Sequence, residues 1–281
     1  MTGIFTPEFF DLDALIAAAL REDIGAGDIT TLSCVPEGAL SRGLFRAKED
    51  GVVCGLFILP RVFAALSPDV AVAPLVREGA EVKNNELIAE IEGPSRAVLT
   101  GERVALNLVQ RLSGIATRTA AAARVVRGTR AKIADTRKTT PGLRALEKYA
   151  VRAGGGHNHR FGLDGGILIK DNHIKAAGGI ARAVKSARAA APHTLKIEVE
   201  TETLPQVLEA IDAGADIIML DNMGVEAMSE AVRLVAGRAL TEASGNMGDR
   251  DLRKVAETGV DIISIGGLTH SAKALDISLK F

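Results

Sequence analysis

Six stretches of the chain gather side chains able to bind anions or move protons. They are Asp135-Thr136-Arg137-Lys138, Lys170-Asp171-Asn172-His173, Glu198 with Glu200, Asp221-Asn222, Glu242 with Ser244-Gly245-Asn246, and Ile265-Gly266-Gly267. Residues 130–175 hold ten Lys or Arg against four Asp or Glu, and three of the five histidines, in a chain of formal net charge −1. Such a local cationic cluster suits carboxylate and phosphate groups, to which guanidinium and ammonium donate charge-assisted hydrogen bonds. The turn Gly154-Gly155-Gly156-His157-Asn158-His159-Arg160 lies inside it, and its glycines let backbone N–H groups approach an anion closely.

Two metal chemistries are open to these residues. His157-x-His159 would supply the first two ligands of a barrel metallohydrolase. That site needs further His and Asp ligands on later strands, but His193 precedes its strand and His270 lies beyond the last one. Glu200 and Asp221, on successive strands, would instead hold Mg²⁺ directly or through water, or grip sugar hydroxyls. Ion pairs with nearby Lys and Arg compete for the same carboxylates.

The polar stretches follow short apolar runs, which read as strands: Ala131–Asp135, Gly166–Asp171, Leu195–Glu200, Ile217–Asp221, Ala239–Glu242 and Ile262–Ile265. Ala-rich helical segments alternate with them, which implies a parallel sheet. Two approaches are near copies, Ala213-Gly214-Ala215-Asp216-Ile217-Ile218 and Thr258-Gly259-Val260-Asp261-Ile262-Ile263, where the Gly fits a helix C-cap before a buried strand. In α/β barrels the carboxyl ends of the strands meet at one mouth, where reacting groups collect. A complete eight-unit barrel takes about 250 residues. Some 140 lie between Thr129 and Thr269, so the expectation is an open, incomplete α/β (TIM-like) barrel of six or seven strands.

Ahead of it, Leu12, Leu15, Ile16, Ala19 and Leu20 recur at helical spacing behind a cap at Asp11 or Asp13. From Gly43 to Gly93, β-branched runs (Val52-Val53, Val70–Val72, Leu87–Ile91) are divided by Gly and Pro, which reads as a small α/β domain. Arg77–Glu92 resembles the flattened β-fold of biotinyl and lipoyl carrier domains, in architecture alone. Gly101–Arg127 reads as one long helix or two joined ones, with Val104, Leu108, Val109, Leu112, Ile115 and Ala116 on its apolar face. The expected division is an N-terminal α/β sandwich domain over residues 1–115 and a barrel over 116–270, with 271–281 packing back on the first.

Composition limits the partners. The chain has 281 residues, 47% hydrophobic and 25% charged, with 34 basic against 35 acidic side chains. A nearly neutral surface with 3% aromatics and no Trp offers little to nucleic acid, neither a field nor stacking platforms. Cys34 and Cys54 fit neither a disulfide framework nor a thiolate metal site. Met1–Phe10 lacks the pattern of a leader, and Pro60, Arg61, Pro68, Asp69 and Pro74 break the apolar region between Val52 and Val76. A cytoplasmic enzyme without membrane attachment is expected.

Several of these blocks resemble one family, quinolinate phosphoribosyltransferase. The likeness rests on Asn107 with Ser113-Gly114-Ile115-Ala116-Thr117, on Thr136-Arg137-Lys138-Thr139-Thr140-Pro141-Gly142 through Glu147-Lys148-Tyr149-Ala150 to Gly154–Arg160, and on Leu168-Ile169-Lys170-Asp171-Asn172-His173. Glu198-Val199-Glu200, Leu220-Asp221-Asn222 and Leu268-Thr269-His270-Ser271 also fit.

The resemblance implies phosphoribosyl transfer from phosphoribosyl pyrophosphate to quinolinate, with decarboxylation, by a homodimer or higher oligomer whose active site is shared. It implies that Arg103, at the start of the long helix, reaches the neighbouring subunit's site, and that Arg137, His159 and Arg160 hold the rest of the dicarboxylate. Lys138 and Lys170 would neutralise the carboxylate and pyrophosphate side, and Glu200 and Asp221 would engage ribose and Mg²⁺. Ser244, Gly245 and Asn246 with Gly266 and Gly267 would cradle the 5'-phosphate, and Thr136, Ile265 and His270 complete the substrate-binding set. Two positions depart from the family pattern: Gly165 stands where Asp is usual, and Asn246 stands in a turn usually written Ser-Gly-Gly. A molybdenum-operon relative with another acceptor shares the fold; Arg103 and the His157–Arg160 block favour the dicarboxylate.

Overall fold

The computed structural model of the chain describes residues 11–281. The Met1–Phe10 stretch, read above for a leader, lies outside the described residues. Two compact units make up the chain: one runs to Ala120 and adds Thr140–Gly155 and Ala272–Phe281, and the other comprises Ala121–Thr139 and Gly156–Ser271.

The chain opens with α1 (Leu12–Ile24), α2 (Ile29–Cys34), β1 (Leu40–Ala47), β2 (Gly51–Val52), α3 (Ile58–Ala64), β3 (Ala71–Pro74), β4 (Glu81–Val82), β5 (Leu87–Pro94) and α4 (Ser95–Val125). Asp11 is the cap of α1: its carboxylate accepts the Ala14 N–H at 3.0 Å, and Leu12, Ile16 and Leu20 form the buried stripe. β1 and β5 pair antiparallel. The stretch that resembles a carrier domain is divided between two sheets, because β4 pairs β2 while β5 lies between β1 and β3.

The long helix starts six residues before the expected Gly101. Gly101 does not break it, since a Cβ there would come within 2.9 Å of both Phe63 and Leu66, so the residue serves close packing. Arg103 therefore lies two turns into α4, exposed, and not at its start. Further along α4, Ser113 Oγ accepts the Cys54 N–H at 2.9 Å and Thr117 Oγ1 accepts the Val52 N–H at 2.8 Å. The Ser113–Thr117 block thus fastens α4 to β2 and the turn after it.

The chain continues through β6 (Lys132–Ala134), α5 (Arg144–Ala153), β7 (Ile167–Ile169), α6 (Asp171–Ala177), α7 (Ile180–Ala190), β8 (Ile197–Thr201), α8 (Leu204–Asp212), β9 (Ile217–Asp221), α9 (Val225–Val235), β10 (Leu240–Ser244), α10 (Leu252–Glu257), β11 (Ile262–Ser264), α11 (Gly267–His270) and β12 (Ile277–Lys280). The last strand, β12, pairs with β1, so the carboxyl terminus belongs to the first sheet. Within the first unit, Glu147 of α5 is fully buried and accepts both the N–H and the Oγ1–H of Thr140, at 3.0 and 2.8 Å, while Arg111 donates to it at 2.8 Å.

The second unit is a parallel sheet of six strands ordered β6-β11-β10-β9-β8-β7. Laid in a ring, that order is a TIM-like barrel open between β6 and β7, the six-strand solution of the two expected. Gly214 and Gly259, at φ +78° and +90°, make the left-handed turns that end α8 and α10 before their strands, as the two near-copied approaches require. The open edge of β6 is partly covered by an isolated parallel bridge to His157, whose N–H donates to Ile133 and whose carbonyl accepts from Asp135.

Candidate active site

In strands, residues two apart share a face. On β8 this puts Glu198 and Glu200 on one face with Ile197, Val199 and Thr201 buried on the other; on β10 it aligns Glu242 with Ser244. Glu200, Asp221 and Ser244 lie at the carboxyl ends of their strands, and Glu198 and Glu242 lie one layer deeper. β8 and β10 are alternate strands, the arrangement by which a barrel interior builds one layer of side chains. Here that layer is acidic.

At the rim, Lys170 stands at the end of β7 and donates to Glu200 Oε2 at 2.9 Å. His173 folds back from α6 so that its Nδ1 accepts the Lys170 N–H at 2.9 Å. Asp221 pairs in register with Ser244, and its carboxylate accepts from the Asn222 amide at 2.7 Å. Gly245 takes φ +88°, and a Cβ on it would overlap the Asn222 side chain and come within 2.7 Å of its backbone nitrogen. Asn246 adopts φ +51°, the left-handed backbone that Asn tolerates better than most residues, so the departure from Ser-Gly-Gly preserves the turn.

Past β6, Thr136 Oγ1 accepts the Lys138 N–H at 3.0 Å, and buried Thr269 donates its hydroxyl to the Lys138 carbonyl at 2.7 Å. The backbone of Lys138 is held from both sides while its side chain is exposed. Gly266 leaves room beside it: a Cβ would lie 2.9 Å from Lys138 Cδ and 3.3 Å from His270 Nε2. The Ile265 N–H donates to Ala134, which ties β11 to β6 below Gly266-Gly267.

The Gly-rich turn ends in a buried polar cluster. Asp135, fully buried, accepts from the Asn158 amide at 2.5 Å and from the His159 N–H at 2.9 Å. His159 Nδ1 accepts the Arg160 N–H at 2.7 Å, so the ring proton is on Nε2, which faces Glu198 Oε2 at 3.1 Å and Glu242 Oε1 at 3.7 Å. Burial pushes the Glu242 carboxyl up to about 7, helped by Glu198 and Asp135 and opposed by His159 and Ser264. Burial and neighbouring Arg137 lower the pKa of Arg160, while Glu198 works the other way. Arg160 also donates to the Gly166 carbonyl at 2.9 Å.

The second unit thus brings the expected Thr136, Arg137, Lys138, His159, Arg160, Lys170, Glu200, Asp221, Ser244, Gly245, Asn246, Ile265 and Gly266 to strand ends or the loops that follow them, and Gly267 and His270 to the short helix α11 after β11. Arg103 lies in the other unit. The alternative metal pair of His157 and His159 gains no support: among the described residues the group of three potential ligands is His159, Glu198 and Glu242, without His157. The roles of Asp135, Glu198 and Glu242 inside the barrel were missed. Their signal was the alternation Glu198-Val199-Glu200, in which the first acid has to lie a layer below the second.

Comparison with known proteins gives a consistent answer. Family profiles described as quinolinate phosphoribosyl transferase, N-terminal domain and C-terminal domain, match residues 28–113 and 115–280. A "probable nicotinate-nucleotide pyrophosphorylase [carboxylating]" of Bacillus subtilis is 51% identical over 268 residues, 95% of this chain and 92% of that one. The structure of NadC from Streptococcus pyogenes superposes with a TM-score of 0.92 at 44% identity, covering 99% of this chain and 97% of that one. The nicotinate-nucleotide pyrophosphorylase of Francisella tularensis does so with a TM-score of 0.91 at 40% identity, covering 96% and 95%.

Proposed function

The chain belongs to the quinolinate phosphoribosyltransferase family, and from that premise we propose how its residues divide the reaction among them. It transfers the phosphoribosyl group of phosphoribosyl pyrophosphate to quinolinate with loss of carbon dioxide, yielding nicotinate mononucleotide for NAD biosynthesis, and pyrophosphate. The observation that best supports the residue assignment is the gathering of two guanidinium groups, two ammonium groups and two rim carboxylates at the carboxyl ends of one parallel sheet.

Arg137 and Arg160 hold the dicarboxylate. His159, with Nδ1 taken by the Arg160 N–H and Nε2 facing Glu198, acts on the substrate through Arg160, whose backbone it fixes. Arg103, exposed on α4, adds a further carboxylate contact in the site of a second subunit, so the working form is a homodimer or a higher oligomer. Gly245, Asn246, Gly266 and Gly267 present backbone at small or left-handed positions to the 5'-phosphate, where a larger residue would block approach. Ser244 and Thr136 adjoin these turns.

Displacement of pyrophosphate from ribose C1 leaves positive charge on the sugar and negative charge on the leaving group. Lys138 and Lys170 face that growing negative charge, and preorganised donors of this kind are worth most where charge develops. Glu200 and Asp221 are hard oxygen donors on adjacent strands, a set that fits Mg²⁺ directly or through water. When bound, the ion supplies neutralisation of the pyrophosphate charge. As phosphoribosyl pyrophosphate enters, Lys170 exchanges Glu200 for the leaving group. Once the pyridine nitrogen is alkylated, the adjacent carboxylate leaves as carbon dioxide, because the carbanion formed lies beside a positive nitrogen.

A cytoplasmic location accords with two free cysteines, Cys34 exposed and Cys54 buried. Among the described residues no helix is long and apolar enough to cross a membrane. The test is turnover of quinolinate with phosphoribosyl pyrophosphate in the presence of Mg²⁺ and after chelation. The proposal expects nicotinate mononucleotide in the first case and little in the second; equal rates in both would remove the metal role.

A further inference from the structure

One imidazole N–H, that of His159, faces two carboxylates. Nδ1 of the ring is taken by the Arg160 N–H, so only Nε2 can donate, and Glu198 at 3.1 Å is better placed than Glu242 at 3.7 Å. Both acids are buried, at 4% and 1% exposure, and the Oε1 atom of each has no hydrogen-bond partner. Two carboxylates buried side by side around one imidazole N–H are costly in such a place. A proton on Glu242 removes one of the two charges.

We propose that Glu242 is the proton-accepting residue of the acceptor site, taking up a proton as the pyridine dicarboxylate binds so that the acidic layer beneath the bound dianion carries one charge fewer. The inference rests on the reading that Arg137 and Arg160 hold that dicarboxylate. The groups facing Glu242 are Glu198 from β8, Asp135 after β6, His159 from the Gly-rich turn and Ser264 from β11. Burial and the two acids favour the protonated form, against a partial pull from His159 and Ser264, so free Glu242 titrates near neutrality. A dianion arriving above it raises its proton affinity further. By linkage, binding takes up a proton, and affinity falls as pH rises above the titration point of the free protein, at most about tenfold per pH unit.

The experiment is calorimetric titration of quinolinate into the full-length protein in buffers of different ionisation enthalpy, between about pH 6 and pH 8, the range around that titration point. Wild-type protein is expected to show a buffer-dependent heat corresponding to a fraction of a proton at neutral pH, rising as the pH is raised. Glu242→Gln, which keeps the shape and a donor but cannot titrate, is expected to bind with no such uptake and with a flatter pH dependence. Wild-type protein alone decides the matter if the variant does not fold: binding with no proton uptake across the range overturns the proposal. So does uptake that survives in Glu242→Gln, or a stoichiometric transition metal held by His159, Glu198 and Glu242 in the purified protein. Failure of wild-type protein to bind quinolinate at all would instead overturn the acceptor assignment, and the inference with it.

Discussion

Lys170 Nζ and Glu200 Oε2 lie 2.9 Å apart across neighbouring strand ends, with 48% of the lysine side chain exposed and 11% of the glutamate. The pair spans β7 and β8, and its exposed half faces the mouth where phosphoribosyl pyrophosphate has to enter. A lysine so placed can trade one anion for another without crossing an apolar barrier. Because leaving-group charge grows only in the transition state, Lys170→Met and Lys138→Met are expected to lower the single-turnover rate by about 10² to 10³. Quinolinate affinity, measured by calorimetry, should change far less. Near-normal chemistry with collapsed quinolinate binding would make either lysine a carboxylate anchor.

Acceptor selectivity follows from Arg137 and Arg160, which lie close enough for each to feel the other's charge. Nicotinate lacks the second carboxylate and would leave a cationic donor without its partner, at a cost of about 1 to 3 kcal/mol per unsatisfied group and more when charged. The kcat/KM for nicotinate should therefore be lower by at least tenfold. Arg160→Lys, which loses the planar fork, should narrow the gap by weakening quinolinate more than nicotinate. Equal turnover of the two acceptors by the unaltered protein would contradict the assignment.

Asp135 organises the Gly-rich turn through its contacts to the Asn158 amide and the His159 N–H, at 2.5 and 2.9 Å. Asp135→Ala leaves the half-buried His159 N–H without that acceptor, while exposed Asn158 can turn to water, and denaturant titration should show a loss of about 1 to 3 kcal/mol. Quinolinate binding should weaken as well, since His159 and Arg160 follow the turn. A variant with unchanged stability and unchanged affinity would show that the turn holds itself.

For the phosphate turn, Gly245→Ala puts a Cβ into Asn222 at a backbone angle of +88°. The turn has to shift, and the KM for phosphoribosyl pyrophosphate should rise about tenfold or more while quinolinate affinity holds, because misplacing a positioned group by a small distance is costly. An unaltered KM would remove Ser244–Asn246 from the phosphate site.

Much of this was legible in the chain. The repeated strand–helix spacing implied a parallel sheet, and the residue count between Thr129 and Thr269 ruled out a complete barrel; both properties are local. What stayed hidden depends on packing across elements. Helix α4 runs through Gly101 from Ser95, and that glycine answers to the close approach of Phe63 and Leu66, which no pattern within the helix records. Likewise β1 contains Gly43 and Arg42, poor strand signals, and owes its place to β5 and β12 on either side. The pairing of His159 with Glu198 and Glu242 joins a turn to two alternate strands, so periodicity marked the acids and only the fold brought them together.

One molecule of carbon dioxide leaves for every nucleotide formed. Quinolinate labelled at the 2-carboxyl carbon, incubated with the protein, phosphoribosyl pyrophosphate and Mg²⁺, should release label as carbon dioxide in equal amount to the nicotinate mononucleotide produced, with neither appearing when phosphoribosyl pyrophosphate is left out. Nucleotide that retains the label, or no nucleotide at all with folded protein and both substrates present, would contradict the account.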